Sequence, residues 1–463
     1  MKKMITFGLM LLALTVQAQT ARKFTLNLTD DSKAQMVCYL PQTPSGKAIV
    51  GVPGGGYSVL SNNHEGYMAS EWFNQQGIAY FVVNYRLPEG DRTKPMSDVE
   101  HGIRIVRDSA TAWGINPHDV GIMGFSAGGH LASVISTHAD FDVRPDFSIL
   151  FYPVISMDEK VSHKWSCINF LGEEGQKNPE LVRDFSTMNA VRRHLTPPAI
   201  ILSASDDQVV PLLTNGLEYY KAMRNAGNDC AMYVYPTGGH GFGFGPWFKY
   251  HDQLLTDLGT WLKARQAPQP DAIRVACIGN SITDGHGIDM ATVYGYPALL
   301  QKKLGNGYWV KNFGVGARTM LNKGDFPYMN EVAWKDALAF KPDIVVIKLG
   351  TNDSKPKNWK FGSEFRHDLE QMIKSLNANK PRIFLCTPIK AEKMSWGIND
   401  SIIVNDIIPI QKAVASKYKL QLIDLHTLFP GGSELMFNDG IHPNGKGVEK
   451  LAEIIAEKIN QVK

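Results

Sequence analysis

Short apolar runs that alternate with longer mixed segments constrain the fold of this chain most strongly. From about residue 48 the runs AIVGVPGG, AYFVVNY, VGIMGF, FSILFYP, AIILSAS and AMYVYP follow one another. Between them lie segments with a helical pattern, such as DVEHGIRIVRDSATAW at 98–113. Strands that are apolar at every position belong to parallel sheets covered by helices on both faces. The first half of the chain is therefore predicted to be an α/β domain.

A polar stretch with two prolines, ARQAPQPD at 264–271, interrupts this alternation. The amphipathic run LLTDLGTWLKA before it is typical of a helix that closes a domain. The alternation then restarts with IRVACIGN, YWVKNFGV, DIVVIKLG, RIFLCTPI and LQLIDL, which predicts a second, smaller parallel sheet. A chain of 463 residues is also too long for one core. We predict α/β domains over 22–265 and 272–463, joined by a linker over 266–271.

The N-terminal sequence MKKMITFGLMLLALTVQAQT has two lysines, a short apolar run and a small-residue cleavage site at Val16-Gln17-Ala18. This order predicts a signal peptide over 1–18 and a secreted or periplasmic protein. A membrane span is the alternative, but the run is short and no stop-transfer charge cluster follows it. Because no cysteine follows the cleavage site, we expect no membrane anchor.

Charge and cysteine content argue against several kinds of partner. The formal net charge is +3, with no dense run of Lys and Arg, so we expect no nucleic-acid partner. The five cysteines lack metal-ligand spacing, and Cys277 and Cys386 lie in apolar strand-like runs typical of buried thiols. Without a His/Asp/Cys cluster of ligand spacing, we expect no metal and no cofactor.

Ser126 lies in the pattern Gly-Phe-Ser-Ala-Gly at 124–128, between the strand VGIM and the helical run GHLASVIS. This is the context of a nucleophile elbow, and the partner acid and histidine should follow at later strand ends. Asp206 and Asp207 follow the strand AIILSAS, and His240 follows AMYVYP. We favour Asp206 because it leaves the strand directly, whereas Asp207 can bond the turn backbone.

His240 is preferred to the other histidines because it lies in a glycine-framed loop after a late strand. A serine hydrolase also needs amide donors for the oxyanion. We expect them from Ala127, the residue after the nucleophile, and from the glycine loop PGGGY, which includes Gly55 and Gly56.

The segments PGGGY, GFSAGGHLAS, SDDQVVP and GGHGFG resemble the α/β-hydrolase superfamily over about 24–265. The resemblance is to its acetyl esterase and feruloyl-esterase-like branch, and it implies an α/β-hydrolase fold and acylated plant polysaccharides as substrates. Pro53 stands where lipases of the HGGG type carry histidine, which leaves the amide donors intact.

The stretch GNSITDG at 279–285 supplies a second serine at a strand end. It matches neither the P-loop nor the dinucleotide-binding pattern. Later strand ends supply Asn352 in GTND and the pair Asp439 and His442 in DGIHP. Since ligands bind at the carboxyl ends of parallel strands, these groups should form one site. There Ser281 would attack an ester, His442 would take its proton and Asp439 would orient His442.

For the oxyanion of this second site we expect the Ser281 amide, a backbone amide near Ala317 and the Asn352 side chain. The set resembles the SGNH (GDSL-type) hydrolases over about 272–463, which implies a flavodoxin-like, three-layer α/β/α fold. That family has glycine where this chain has Ala317, and serine at Gly316. Alanine keeps its amide, but a backbone angle that favours glycine would strain it.

Together the motifs predict a secreted bifunctional serine carboxylic-ester hydrolase with two independent sites. Acetylated xylan is the favoured substrate, from the resemblance, among acylated polysaccharides and oligosaccharides. One alternative is a single active esterase, acetyl or feruloyl, with a vestigial carbohydrate-binding domain, in which aromatic residues such as Trp247 and Trp396 stack on sugars. Another is a peptidase in the N-terminal domain. The oligomeric state is not predicted.

Overall fold

The computed structural model describes residues 22–376, 378 and 380–461, so the predicted signal peptide lies outside the described residues. Two sheets organise the chain, one of eight strands and one of five.

The first sheet has the strand order β1-β2-β4-β3-β5-β6-β7-β8. Its strands are Arg22–Asn27 (β1), Gln35–Leu40 (β2), Gly46–Val52 (β3), Ala79–Asn84 (β4), Ile115–Phe125 (β5), Ser148–Phe151 (β6), Ala199–Ala204 (β7) and Cys230–Tyr235 (β8). Its helices are Ala69–Gln75 (α1), Thr93–Asp108 (α2), Ala110–Trp113 (α3), Ala127–His138 (α4), Lys164–Gln176 (α5), Pro179–Phe185 (α6), Gly216–Asn225 (α7) and His251–Ala264 (α8).

Strands β3 to β8 pair in parallel, as their continuous apolar sequences predict. The antiparallel strands β1 and β2 are additions that sequence analysis missed. Strand β1, at the edge of the sheet, alternates exposed and half-buried residues and carries no apolar run. The central strands are buried along most of their length, and this forces helices onto both faces.

The second sheet is parallel throughout, with the order β10-β9-β11-β12-β13. Its strands are Ile273–Gly279 (β9), Tyr308–Gly314 (β10), Ile344–Lys348 (β11), Arg382–Cys386 (β12) and Gln421–Ile423 (β13). Its helices are Ser281–Asp284 (α9), Ala291–Tyr294 (α10), Tyr296–Leu304 (α11), Val332–Ala339 (α12), Pro356–Trp359 (α13), Phe365–Leu376 (α14), Asp400–Ile402 (α15), Ile408–Tyr418 (α16), Leu425–Leu428 (α17) and Gly445–Asn460 (α18).

This strand order is that of the flavodoxin-like doubly wound fold. The second strand is added on one side of the first strand and all later strands on the other side. Here the first strand is β9, between β10 and β11. The ends of β9, β10 and β11 therefore meet at the switch point, where such folds bind ligands. Separate apolar clusters cover the two faces of this sheet.

All five cysteines are buried and free, and the burial of Cys277 and Cys386 is as predicted. Cys277 lies in β9 and Cys386 in β12. Burial raises the pKa of the Cys386 thiol to about 12, so it stays protonated and packs as a small apolar group. Within the part of the chain that the structure describes, no helix has the length and apolarity needed to cross a membrane.

The two domains meet through an apolar and a charged contact. The ring of Phe141, from the loop before β6, lies 5.6 Å from that of Phe340 and 6.4 Å from that of Phe313. Nearby, Arg144 donates to the Asp336 carboxylate at 2.6 Å, and both side chains are only 7% exposed. A buried ion pair between the domains holds them in one relative orientation, because separating it would leave an unpaired buried charge.

Two candidate active sites

The Ser126 turn has the backbone geometry of a nucleophile elbow. Ser126 has φ 52° and ψ −119°, a strained conformation, between β5 and helix α4. The two flanking glycines allow it: a Cβ at Gly124 would lie 2.1 Å from the Gly128 carbonyl, and one at Gly128 would lie 2.2 Å from the Val52 carbonyl. Small residues are thus required for the strand and helix to approach closely enough to present the hydroxyl.

The Ser126 hydroxyl is the first member of a hydrogen-bonded chain. His240 Nε2 lies 2.8 Å from Ser126 Oγ, and His240 Nδ1 lies 2.7 Å from Asp207 Oδ2. Because a carboxylate only accepts, Nδ1 carries the proton and Nε2 accepts from the serine. This is the geometry of a serine–histidine–aspartate triad.

The choice of Asp206 over Asp207 was wrong. Asp207 is buried, and its Oδ1 accepts from the amides of Val209 and Val210, both at 2.9 Å. One carboxylate therefore closes the turn and presents its second oxygen to His240. Asp206 is exposed and accepts from the Gly239 amide at 2.8 Å, so it contacts the histidine loop but not the ring.

The glycine loop lies directly beside the nucleophile. A Cβ at Gly54 would be 3.0 Å from Ser126 Cβ, and Gly55 and Gly56 have φ values of 117° and 63°. The Gly54 amide donates to Glu65, so Gly55 and Gly56 are the candidates to face an oxyanion. Ala127 is the first residue of α4, where the amide has no acceptor within the helix.

Glu65 and Tyr152 support this site, and sequence analysis missed them. The buried Glu65 accepts from the Gly54 amide at 3.1 Å and from the Tyr152 hydroxyl at 2.9 Å. The same hydroxyl accepts from the Gly243 amide at 2.9 Å, in the loop that carries His240. The pair thus links the glycine loop to the histidine loop. Burial raises the pKa of Glu65.

His163 also lies near the glycine loop. A Cβ at Gly56 would come within 3.3 Å of the His163 ring. His130, in contrast, is a packing residue: its Nε2 donates to the Phe185 carbonyl at 2.9 Å, and its Nδ1 lies 2.8 Å from the Tyr57 hydroxyl.

The second site is built on the end of β9. Ser281 is the first residue of helix α9, and His442 Nε2 lies 2.8 Å from its Oγ. His442 Nδ1 lies 2.9 Å from Asp439 Oδ2. Asp439 Oδ1 also accepts from the amides of Ile441 and His442, at 2.7 Å and 2.9 Å. Acid and base therefore belong to one tight turn, and the structure brings all three predicted residues together.

Burial and neighbouring charge set the protonation of this pair. Burial lowers the pKa of His442 below its usual 6.5, and the nearby His286 lowers it further, while the hydrogen bond with Asp439 opposes the shift. Burial alone would raise the pKa of Asp439, but the two amides and the His442 ring outweigh it and lower the pKa. The neutral histidine beside an ionised aspartate is the state that accepts a serine proton.

The loops after β10 and β11 carry the predicted oxyanion groups. Ala317 has φ 66°, the left-handed conformation that favours glycine. The buried Asn352 donates from Nδ2 to the Arg318 carbonyl at 3.1 Å, which orients its amide and leaves a second hydrogen on that nitrogen. Behind them Asp353 accepts from the Met320 and Leu321 amides and ties the two loops together.

One group of side chains in the described part of the chain has the spacing of metal ligands: His286, Asp439 and His442 offer atoms within 4.8 Å of one another. Two of the three belong to the hydrogen-bonded chain of Ser281. A cation there would compete with Ser281 for His442.

The fold and the two serine–histidine–aspartate arrangements define a carboxylic-ester hydrolase with two α/β domains. Residues 36–216 match the BD-FAE family model, and residues 277–450 match that of the GDSL-like Lipase/Acylhydrolase family. The N-terminal region is thus a feruloyl-esterase-like α/β hydrolase and the C-terminal region a GDSL (SGNH) hydrolase, as their motifs predicted.

The chain belongs to the family of an acetylxylan esterase from Xylanibacter ruminicola, with which it is 69% identical over 99% of both chains. It is 32% identical to endo-1,4-beta-xylanase B of Butyrivibrio fibrisolvens, over 41% of this chain and 31% of that one. Among solved structures it is similar to the acetyl ester-xyloside bifunctional hydrolase of Caldicellulosiruptor lactoaceticus. That similarity has 30% identity and a TM-score of 0.49, over 52% of this chain and 96% of the other.

We predict opposite outcomes for the two adjacent aspartates. In a Ser281→Ala background, Asp207→Asn should lower kcat on an aryl acetate by about 10⁴-fold, because His240 loses the partner that fixes its tautomer. Asp206→Asn is the matched control and should cost less than about tenfold, because the chain of hydrogen bonds stays intact. A larger loss from Asp206→Asn than from Asp207→Asn would reverse the assignment.

Replacing Ala317 by glycine should stabilise the protein. The left-handed conformation costs alanine about 1–2 kcal/mol, and the extra freedom of glycine in the unfolded chain offsets about 0.4–1 kcal/mol of that. We therefore expect Ala317→Gly to raise the free energy of unfolding by about 0.5–1 kcal/mol in denaturant titrations. The control Ala298→Gly, in helix α11, should lower it by about 1 kcal/mol. Equal destabilisation by both substitutions would contradict strain at Ala317.

The lowered pKa of His442 predicts the pH dependence of the second site. Its base is active when neutral, so in a Ser126→Ala background kcat/KM should fall only below pH 6.5, the usual value for histidine. His286→Ala removes a neighbour that disfavours the protonated ring, so the acid limb should move to higher pH. An acid limb above pH 6.5 in the unsubstituted second site would contradict the shift.

Proposed function

We propose that this protein is a secreted acetylxylan esterase in which both domains hydrolyse acyl esters, each with its own triad. The observation that carries the proposal is the pair of hydrogen-bonded chains, Ser126–His240–Asp207 and Ser281–His442–Asp439, each with contacts of 2.7–2.9 Å. The family relation to an acetylxylan esterase supports the choice of substrate.

In the first site, His240 takes the proton of Ser126 as Oγ attacks the ester carbonyl, and Asp207 stabilises the imidazolium that forms. The amides of Ala127, Gly55 and Gly56 then surround the oxyanion. Each such donor lowers the activation free energy by about 3 kcal/mol when it is well placed. His240 next protonates the sugar oxygen as its bond to the acyl carbon breaks, so that the sugar leaves with a free hydroxyl. Water, deprotonated by the same ring, then attacks the acyl-enzyme, and acetate leaves as Ser126 regains its proton.

In the second site, His442 and Asp439 act in the same way on Ser281. The oxyanion is held by the Ser281 amide, the Ala317 amide and the Asn352 side chain. The positive φ of Ala317 turns the peptide there, and a methyl group does not remove the donor. We therefore propose that this site is active despite its departure from the glycine of the family pattern.

Exposed aromatic rings beside the two sites suit a sugar polymer. Trp396 is 59% exposed, and its ring lies 5.5 Å from that of His442. Trp247 is 63% exposed, and its ring lies 6.3 Å from that of His64, the residue before Glu65. Flat exposed rings are surfaces on which sugar rings pack. Tyr57, Phe242 and Phe244 are buried in the core and cannot do this.

Location follows from the same proposal. Xylan is too large to enter a cell, so an esterase that acts on the polymer must be exported. The predicted signal peptide over 1–18 would supply that export.

The test is to measure acetate release from acetylated xylan by Ser126→Ala, Ser281→Ala and the double variant. Each single variant should retain the activity of the other site, and the double variant should lose at least about 10³-fold relative to the unsubstituted chain. Ferulate release from feruloylated xylan, and cleavage of a dipeptide nitroanilide, are measured in parallel.

Different results would reject different parts of the proposal. If Ser281→Ala loses nothing on any ester while Ser126→Ala loses everything, the second domain is a binding module. Cleavage of the nitroanilide without acetate release would identify the first domain as a peptidase. Ferulate release without acetate release would overturn the assignment of acetyl groups.

A further inference from the structure

A turn of the first domain contacts the element that carries the second nucleophile. The turn spans 192–196, just before β7, and the buried Asn228 holds it: Asn228 accepts from the His194 amide at 3.0 Å and donates to the Arg192 carbonyl at 3.0 Å. Two side chains of this turn, Arg193 and His194, reach the second domain. The turn is thus a fixed support.

The contacts are made to the end of helix α9, which begins at Ser281. His194 Nε2 donates to the Asp284 carbonyl at 2.8 Å and lies 3.3 Å from the Asp284 carboxylate. Arg193 Nη2 donates to the Gly285 carbonyl at 3.0 Å, and its Nε lies 3.2 Å from the same carboxylate. The side chain of His194 is only 3% exposed and that of Asp284 16%.

These contacts meet a need of a very short helix. Helix α9 has four residues, and the last four carbonyls of any helix accept no hydrogen bond from an amide of the same helix. In a longer helix, burial of an apolar face holds the element in place. Here the amides of Gly285 and His286 both donate to the Ser281 carbonyl at 2.9 Å, so the turn closes on the nucleophile itself. A shift of Asp284 or Gly285 would therefore shift Ser281.

Asp284 also lies against the loop proposed to hold the oxyanion. A Cβ at Gly314 would be 2.3 Å from the Asp284 amide nitrogen, and one at Gly316 would be 3.5 Å from its Oδ2. A carboxylate this near the loop opposes the build-up of negative charge beside Ala317 unless a cation compensates it. Arg193 is that cation.

We propose that Arg193 and His194 of the first domain are positioning residues of the second active site. They cap helix α9, fix Ser281 relative to His442, and neutralise Asp284 beside the oxyanion loop. The two sites have separate triads, but the second depends on the first domain for its geometry. This inference rests on the proposed activity of Ser281.

The experiment uses the full chain with Ser126→Ala, so that ester hydrolysis reports Ser281 alone. Adding Arg193→Ala and His194→Ala should lower kcat on an aryl acetate at least about tenfold with little change in KM, since displaced reacting groups slow the chemical step. Arg193→Lys, which keeps the charge, should recover part of the loss relative to Arg193→Ala.

Thr292→Val is the matched control. Its hydroxyl donates across the same interface to the Gly227 carbonyl at 2.7 Å, and not to helix α9, so its loss should leave kcat unchanged. The same substitutions in a Ser281→Ala chain should leave Ser126 activity unchanged, because the 192–196 turn lies at the opposite end of β7 from the first site. Unchanged Ser281 activity, or equal loss at both serines, would overturn the proposal.

Hydrogen exchange separates this proposal from the proposed function. The amides of Asp284, Gly285 and His286 should exchange faster in the Arg193→Ala/His194→Ala chain than in Thr292→Val. A Ser126→Ala parent without esterase activity would reject the function of the second site, and exchange would still decide the positioning. Equal exchange in the two variants would overturn it.

Discussion

Parallel strand pairing is the constraint on which both sites depend. It places the carboxyl ends of neighbouring strands at one edge of a sheet, so side chains far apart in sequence meet without long connecting loops. Ser126 follows β5, Asp207 follows β7 and His240 follows β8. In the second sheet the loops after β9, β10 and β11 meet at the switch point. The buried, apolar strands that make this pairing stable carry none of the chemistry.

For that reason the fold was predictable from sequence and parts of the sites were not. Apolar runs identified every parallel strand, because a strand covered on both faces has few polar positions to obscure it. Strands β1 and β2 escaped, since β1 lies at the edge with exposed residues and β2 follows a polar turn. Glycines at 124 and 128 could be interpreted because the strand–serine–helix turn itself requires small residues on both sides of the nucleophile.

The choice between Asp206 and Asp207 shows where such reasoning ends. Successive residues in a turn point in different directions, and the direction depends on which amides the carboxylates find. Asp207 bonds the turn through one oxygen and the histidine through the other, whereas the sequence argument gives a carboxylate one of these roles but not both. Glu65 and Tyr152 were missed for a similar reason, because they act through contacts between distant loops and belong to no motif.

The two triads use the same chemistry with different mechanical connections. In the first, acid and base come from separate strand ends, and the Glu65–Tyr152 pair joins the loop of the base to the glycine loop. In the second, Asp439 and His442 share one turn, so relative motion between acid and base is small by construction. Any fluctuation that separates the second triad must then occur between Ser281 and that turn. The geometry of the first site therefore depends on how three loops lie relative to one another, while that of the second depends on how helix α9 lies relative to a single turn.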